Sequence, residues 1–346
     1  MKKLALLLTL LLLVSLFAAC TGGTPTTAAP TTAASAADTP VTDAPAAEAP
    51  TTAAPTVPQV EEADVHPLLY HVTGPDGQEG WLFGTIHVGD ERIQTALEKL
   101  TPILDGCDAL AVEFDVVAYE QDYAAQMQAM SKFILTDGTK ASDHMSPETF
   151  EKASALLGEA GLRPSLMQAY NLAMWAQLVE QAALMTRTSY STEIGMDRSL
   201  IRYCYDHKIE VRDVESAELQ YKLLAGFSDE LNLLLIEEAL EDLDSFAADT
   251  DKLYNTWLKG NPVDLLLLVA AEEGGDYTET EQALLKDYYD KMLTQRNIGM
   301  RDRALEWLKA GDKVFFAVGA AHLLGMGGLA ALLQAEGFTV ELYEYN

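Results

Sequence analysis

Two short segments near opposite ends of the globular part share a spacing of residues that can do chemistry. WLFGTIHVG (residues 81–89) and FAVGAAHLLG (316–325) both place Gly-x-x-His just after an apolar strand pattern and just before a helical one. Ligands of open α/β sheets bind in the crevice beyond the carboxyl ends of the strands, so His87 and His322 are expected on one rim. Gly84 lets the chain turn there without a side chain. A helix N-terminus following His87 would disfavour imidazolium and leave the neutral, metal-binding ring. A histidine after a strand can also be a structural hydrogen-bonding residue, and it is the repeat at both ends that points to function.

Three further positions supply charge. Glu113 lies in LAVEFDV, a strand that should be buried on both faces. A carboxylate there must meet a cation, a metal or a proton, because leaving it unpaired costs several kcal/mol. The alternative is a strand that ends nearby, with Glu113 and Asp115 facing water. Arg296 interrupts an apolar stripe of Leu285, Tyr289, Met292 and Met300 at helical spacing. Its planar fork of donors would serve Glu113 or a substrate oxygen, or form a structural ion pair holding helix to sheet. Asn297 beside it could add a hydrogen bond. Asp197, after Gly195 in TEIGMDRSL, is a site candidate or simply a helix N-cap. His66, His71, His144 and His207 have no partner at a telling spacing and read as surface residues, and Cys107 and Cys204 as small buried hydrophobes.

The elements that must position these residues are α/β at both ends with helices between. Leu68–Val72 and Gly80–Gly84 flank a turn-rich TGPDGQEG and read as a hairpin. Asp90 can cap a helix over 91–100, and ALAVEF (109–114) is the next strand. From 117 to 310 the periodicity is mostly helical, with a helix over 196–207, a short strand over 209–214 and a long helix over about 281–308. A strand at 313–318, a helix over 326–336 ended by Gly337 and a strand at 338–343 close the chain. The spacing therefore predicts an α/β fold: a central mixed sheet from the N- and C-terminal parts, with a large helical insertion.

Composition narrows the function classes. The 346 residues carry 53 acids against 23 bases, a formal charge of −30, and no Lys/Arg-rich stretch appears. Phosphate backbones are repelled, so nucleic acid is excluded as a partner. With three cysteines, neither a disulfide framework nor a four-cysteine zinc site can be built. Residues 1–20, MKKLALLLTLLLLVSLFAAC, read as an export signal: two lysines, an apolar run too short for a comfortable span, then small residues. Ala18 and Ala19 before Cys20 resemble a bacterial lipobox, which makes Cys20 the lipidation site and the cell membrane a partner through that anchor. Residues 21–65 form a linker: Thr, Ala and Pro make up 30 of the 40 residues from Thr21 to Val60, a composition too poor in large apolar groups to fold. Six acids and two lysines precede His66, leaving 47 acids against 21 bases in residues 66–346, about −26. The acidity belongs to the domain.

Two histidines, a carboxylate and an open crevice would suit a divalent metal that activates water and polarises a carbonyl. A metal-free alternative uses one histidine as general base, oriented by Glu113. Taken together, LFGTIHVGD, LAVEFD, GMDRSLIRYCYDHKIEVRDVESAELQ, TWLKGN, LTQRNIGMRDRALEWL and VFFAVGAAHLLGMGGLAALLQAEGFTVELY, in this order over residues 66–346, resemble the TraB/PrgY/GumN family, which also contains the animal TIKI proteins. The resemblance implies an α/β core with a helical insertion, related to erythromycin-esterase and ChaN-like folds. In the TIKI branch it implies a protease dependent on manganese or cobalt, with zinc a further option here. Its metal positions fall on His87, His322 and Glu113, and Arg296, Asn297 and Asp197 are further matching polar positions that, with Glu113, form the catalytic set. The expectation is an extracytoplasmic, lipid-anchored, metal-dependent hydrolase acting on a peptide or protein, with Arg296 stabilising the developing oxyanion. The competing expectations are a non-catalytic surface protein that binds a peptide, metal or haem, and a hydrolase of small esters or amides.

Overall fold

Six strands share one mixed sheet. In chain order they are β1 (Leu69–Thr73), β2 (Glu79–Thr85), β3 (Ala109–Val112), β4 (Glu210–Asp213), β5 (Val314–Gly319) and β6 (Thr339–Leu342). The order across the sheet is β4-β3-β5-β2-β1-β6. Strands β4, β3, β5 and β2 are parallel, whereas β1 runs antiparallel to β2 and to β6. The computed structural model describes residues 64–241, 243–273 and 277–345. The expected export signal over residues 1–20, the expected lipidation site Cys20 and residues 21–63 of the expected linker lie outside these described residues.

The sheet joins the two ends of the chain for a simple reason. VFFAVG in β5 is buried along its whole length, as a parallel strand covered on both faces must be. It slots between β2 and β3, pairing Phe316 with Leu82 and Phe315 with Leu110. Eight helices matter below: α1 (Ile93–Leu104), α2 (Leu172–Arg187), α3 (Met196–His207), α4 (Ala217–Ala225), α5 (Leu243–Lys259), α6 (Glu279–Tyr289), α7 (Gln295–Ala310) and α8 (Leu329–Ala335). Among the described residues between β3 and β5, β4 is the one strand and the other elements are helices, which is the expected insertion. Its spine is α2, buried on nearly every side, the mark of a helix inside a core rather than on it. Trp257 of α5 ties the insertion to the sheet by donating from Nε1 to the Gly84 carbonyl at 2.8 Å.

Several boundaries differ from expectation, each for a local reason. Strand β3 stops at Val112 instead of Phe114, because the Asp115 carboxylate accepts from Ala118 N–H and starts a short helix, Val116–Tyr119. Asp90 does not cap α1. Its carboxylate is held by Nε and Nη2 of Arg92, and α1 runs through Pro102 to Leu104. Helices α6 and α7 form the long rod expected over 281–308, but a π-helical turn, Asp290–Thr294, joins them. The last helix begins at Leu329, three residues late, because Gly325 turns the chain with φ +70° and Gly328 supplies the extended N-cap.

Candidate active site at the carboxyl rim of the sheet

The two Gly-x-x-His segments meet. Strands β2 and β5 are parallel neighbours, with Gly84 opposite Val318 and Thr85 opposite Gly319, so the motifs leave the sheet side by side on one rim. They pack so closely that a Cβ on Gly84 would lie 3.0 Å from Cα and Cβ of Ala320. The glycine is therefore a requirement of motif packing as well as of the turn.

His87 is set by α3. Met196 N–H donates to the Ile86 carbonyl at 2.9 Å, and a Cβ on Gly195 would come within 2.4 Å of the His87 carbonyl oxygen. With the helix start pressed this close, Asp197 in its first turn reaches back to the strand. The Asp197 carboxylate receives His87 Nδ1 at 2.6 Å and the hydroxyl of fully buried Thr85 at 2.5 Å. Asp197 is thus not the helix N-cap, a position held by Gly195. A carboxylate on Nδ1 places the proton there and leaves Nε2 for chemistry. Burial works against imidazolium at His87, but Asp197 outweighs it and raises the pKa. This reverses the expectation that a following helix would favour the neutral ring: α1 starts six residues away, and Asp197 is in contact.

His322 has the same plan with different charges. It sits in a 3-10 turn, Ala320–Leu323, with no exposed surface. Its Nδ1 lies 2.6 Å from Asn297 Oδ1. Asn297 Nδ2 donates to the Gly327 carbonyl at 2.9 Å, which fixes the amide orientation and makes Oδ1 the acceptor. The proton of the neutral ring is therefore on Nδ1. Nε2 is a bare acceptor with no hydrogen-bond partner, 3.8 Å from Glu113 Oε1. Burial and the nearby Arg296 guanidinium push this imidazole down to about 3.

Glu113 stands one residue past β3, on the rim, yet faces the interior with 7% of its surface exposed. Its Oε2 accepts from Arg296 Nη2 at 2.6 Å and Gln220 Nε2 at 2.9 Å, and its Oε1 from Gly319 N–H at 2.9 Å. Burial opposes the carboxylate, but the Arg296 guanidinium and the Gly319 N–H hold its pKa well below the usual range. Arg296 is equally committed. Nε and Nη2 donate to Glu215 at 3.0 and 2.8 Å, and Nη1 donates to the Met292 carbonyl at 3.1 Å. That carbonyl lies in the π-helical turn, a feature frequent at functional sites. Of the roles expected for Arg296, the geometry gives the carboxylate partner: its fork is occupied by two glutamates, leaving it to position Glu113 rather than await an oxyanion.

His87, Glu113, Asp197, Gln220, Thr192 and Arg198 line a cleft of about 40 Å³, space for only a few water molecules. Two metal–ligand bonds of about 2.0–2.2 Å span roughly the distance between His322 Nε2 and Glu113 Oε1, so this pair fits two positions of a divalent ion. Both histidines also have Nδ1 held by an oxygen, as metal-binding imidazoles do. Among the described residues, however, no group of three or more His, Cys, Asp or Glu side chains stands ready to hold a metal; His87 does not complete the set in this arrangement.

The six residues singled out from the sequence fall into three hydrogen-bonded groups at this rim, His87 with Asp197, His322 with Asn297, and Glu113 with Arg296, and His322 Nε2 comes within 3.8 Å of Glu113. Missed were Thr85, Glu215 and Gln220. Glu215 had a signal: it follows the predicted strand at 209–214, so it reaches the same rim as Glu113, and its N–H donates to the Glu113 carbonyl at 2.8 Å. Gln220 had none, being one polar residue on a helix of many. Cys107 and Cys204 lie outside the site, with thiols pushed up to about 12 by burial.

Comparison with other proteins extends this picture over the whole folded part. The uncharacterized protein YbaP of Shigella flexneri is 27% identical over 263 residues, 76% of this chain and 90% of that protein. YbaP of Escherichia coli (strain K12) matches to the same extent. No solved structure matches. Residues 68–342, which hold every residue of the site, match the model of the TraB/PrgY/gumN family; the chain belongs to the TraB/PrgY/GumN family.

Proposed function

We propose that the protein is a metal-dependent hydrolase of peptides, held outside the cell membrane by a lipid on Cys20, with His87, His322 and Glu113 as its metal ligands. The observation that carries the reading is the bare Nε2 of His322, buried, without a partner and facing an ionised Glu113 at 3.8 Å. A polar atom left so costs stability unless something uses it. A divalent ion bound there would polarise a peptide carbonyl and activate a water. The chain's own residues hold the ligands: Asp197 orients His87, Asn297 orients His322, and Arg296 with Gln220 keeps Glu113 ionised and aimed. The resemblance to the TIKI branch supports manganese or cobalt. Among the described residues no helix is long and apolar enough to cross a membrane, and attachment through Cys20 needs none. The test is a peptide-library digest with added manganese or cobalt, comparing the intact protein with His87→Ala and His322→Ala. Cleavage lost in both variants is the expected result; equal cleavage by all three rejects the reading.

A second reading is a surface protein that binds a peptide, metal or haem without turnover. The incomplete ligand group and the three donors already on Glu113 favour it. It requires stoichiometric uptake of such a ligand in calorimetry with no cleaved product.

A further inference from the structure

Arg296 and Glu215 also line a groove of about 760 Å³ that shares no lining residue with the cleft, the size of a small-molecule site. Leu219 and Leu223 of α4 and the ring of Phe227 give it an apolar floor, and Leu219 is left 49% exposed there. Its charge is unlike that of the rest of the domain. The lining holds four bases, Lys222, Lys291, Arg296 and Arg303, and three acids, Glu215, Asp302 and Glu306. Four of the domain's 21 bases but only three of its 47 acids thus gather at one groove. Ion pairs engage all three acids and two of the bases: Glu215 with Arg296, Asp302 with Arg301 and Glu306 with Arg303. Lys291 is paired with Asp287 and sits over the Phe227 ring, 5.7 Å from its centroid, while Lys222 makes no ion pair among the described residues. Gly299 adds an independent sign. It interrupts α7 on the groove wall, where a Cβ would meet nothing within 4 Å, although glycine inside a helix costs about 1 kcal/mol relative to alanine.

We infer that this groove is a second ligand site, for a small amphipathic anion whose carboxylate meets Lys222 and Lys291 and whose apolar body lies over Leu219, Leu223 and Phe227. An apolar floor with cations at its edge recognises that chemistry, and the groove is too open for a wholly apolar guest to escape water. In a domain of about −26 an anion is repelled elsewhere, so a groove whose lining carries Lys222, without an ion pair among the described residues, selects both the ligand and its orientation.

The probe is decanoate, titrated calorimetrically into the metal-free full chain in the presence of a chelator, so that the outcome is independent of the hydrolase reading. Saturable binding near one equivalent is expected, weaker at higher salt, at least about tenfold weaker in a Lys222→Glu, Lys291→Glu double variant, and weaker for uncharged decan-1-ol. Gly299→Trp should project a large ring into the groove and weaken binding while the melting temperature holds or rises, which separates loss of the site from loss of the fold. Absence of saturable decanoate binding, equal binding of decan-1-ol, or decanoate binding unchanged in both variants would overturn the inference.

Discussion

His87 and His322 end the same motif on adjacent parallel strands, yet their surroundings are electrostatic opposites. His87 has 15% of its side chain exposed and a carboxylate, Asp197, on Nδ1. His322 has none exposed, a neutral amide, Asn297, on Nδ1, and the Arg296 guanidinium nearby. One imidazole is biased toward its proton and the other strongly against it. The Gly-x-x-His spacing delivers a ring to the rim; burial, the partner on Nδ1 and the balance of nearby charges then decide its protonation state.

The largest effect should come from the buried side. Arg296→Leu leaves Glu113 and Glu215 without their cation in the interior, and is expected to cost about 3–5 kcal/mol in chemical unfolding. Asp197→Asn, on the half-open side, should cost much less, because an amide oxygen can still accept from His87. Equal losses would break the contrast.

Next is the pH dependence of stability, followed by thermal unfolding with a chelator present. His322 has its pKa lowered from 6.5 to about 3, so its neutral ring contributes stability that is complete above pH 6.5 and declines as pH falls toward 3, by a few kcal/mol. His87 has a raised pKa, so its contribution is complete below pH 6.5 and is lost as pH rises through its higher folded value. His322→Gln should flatten the acid slope and His87→Gln should not; the reverse outcome would show the assignments exchanged.

Swapping the partners sharpens the same point. Asn297→Asp should raise the His322 pKa and Asp197→Asn should lower that of His87, each by roughly 1–3 units in ring-proton NMR titrations. The smallest effect belongs to Thr85→Val, which removes one hydrogen bond to Asp197 and is expected to cost about 1 kcal/mol while leaving the His322 titration where it was.

What could be read in advance divides along similar lines. The parallel core was legible because β5 is a continuous apolar run, and the shared rim because a motif repeated after two such strands has few other places to go. Glu113 was legible as a buried acid but not as one already satisfied, since Gln220 and Gly319 come from segments 107 and 206 residues away. Asp197 was ambiguous because a first-turn aspartate looks the same whether it serves the helix or a distant histidine. Only the close approach of Gly195 to the His87 backbone decides between them. The π turn that carries the Met292 carbonyl accepting from Arg296 was not read from periodicity, because a single wide turn leaves polar and apolar positions alternating as in one long helix.

The central claim is that His87, His322 and Glu113 hold one divalent ion. Its most direct test is the stoichiometry of manganese, cobalt and zinc bound by the purified full-length chain, measured by elemental analysis beside His322→Ala and His87→Ala variants whose fold is checked by circular dichroism. The expected result is one ion per chain, lost in both folded variants. No bound ion in the intact protein, or equal metal content in all three, would contradict it.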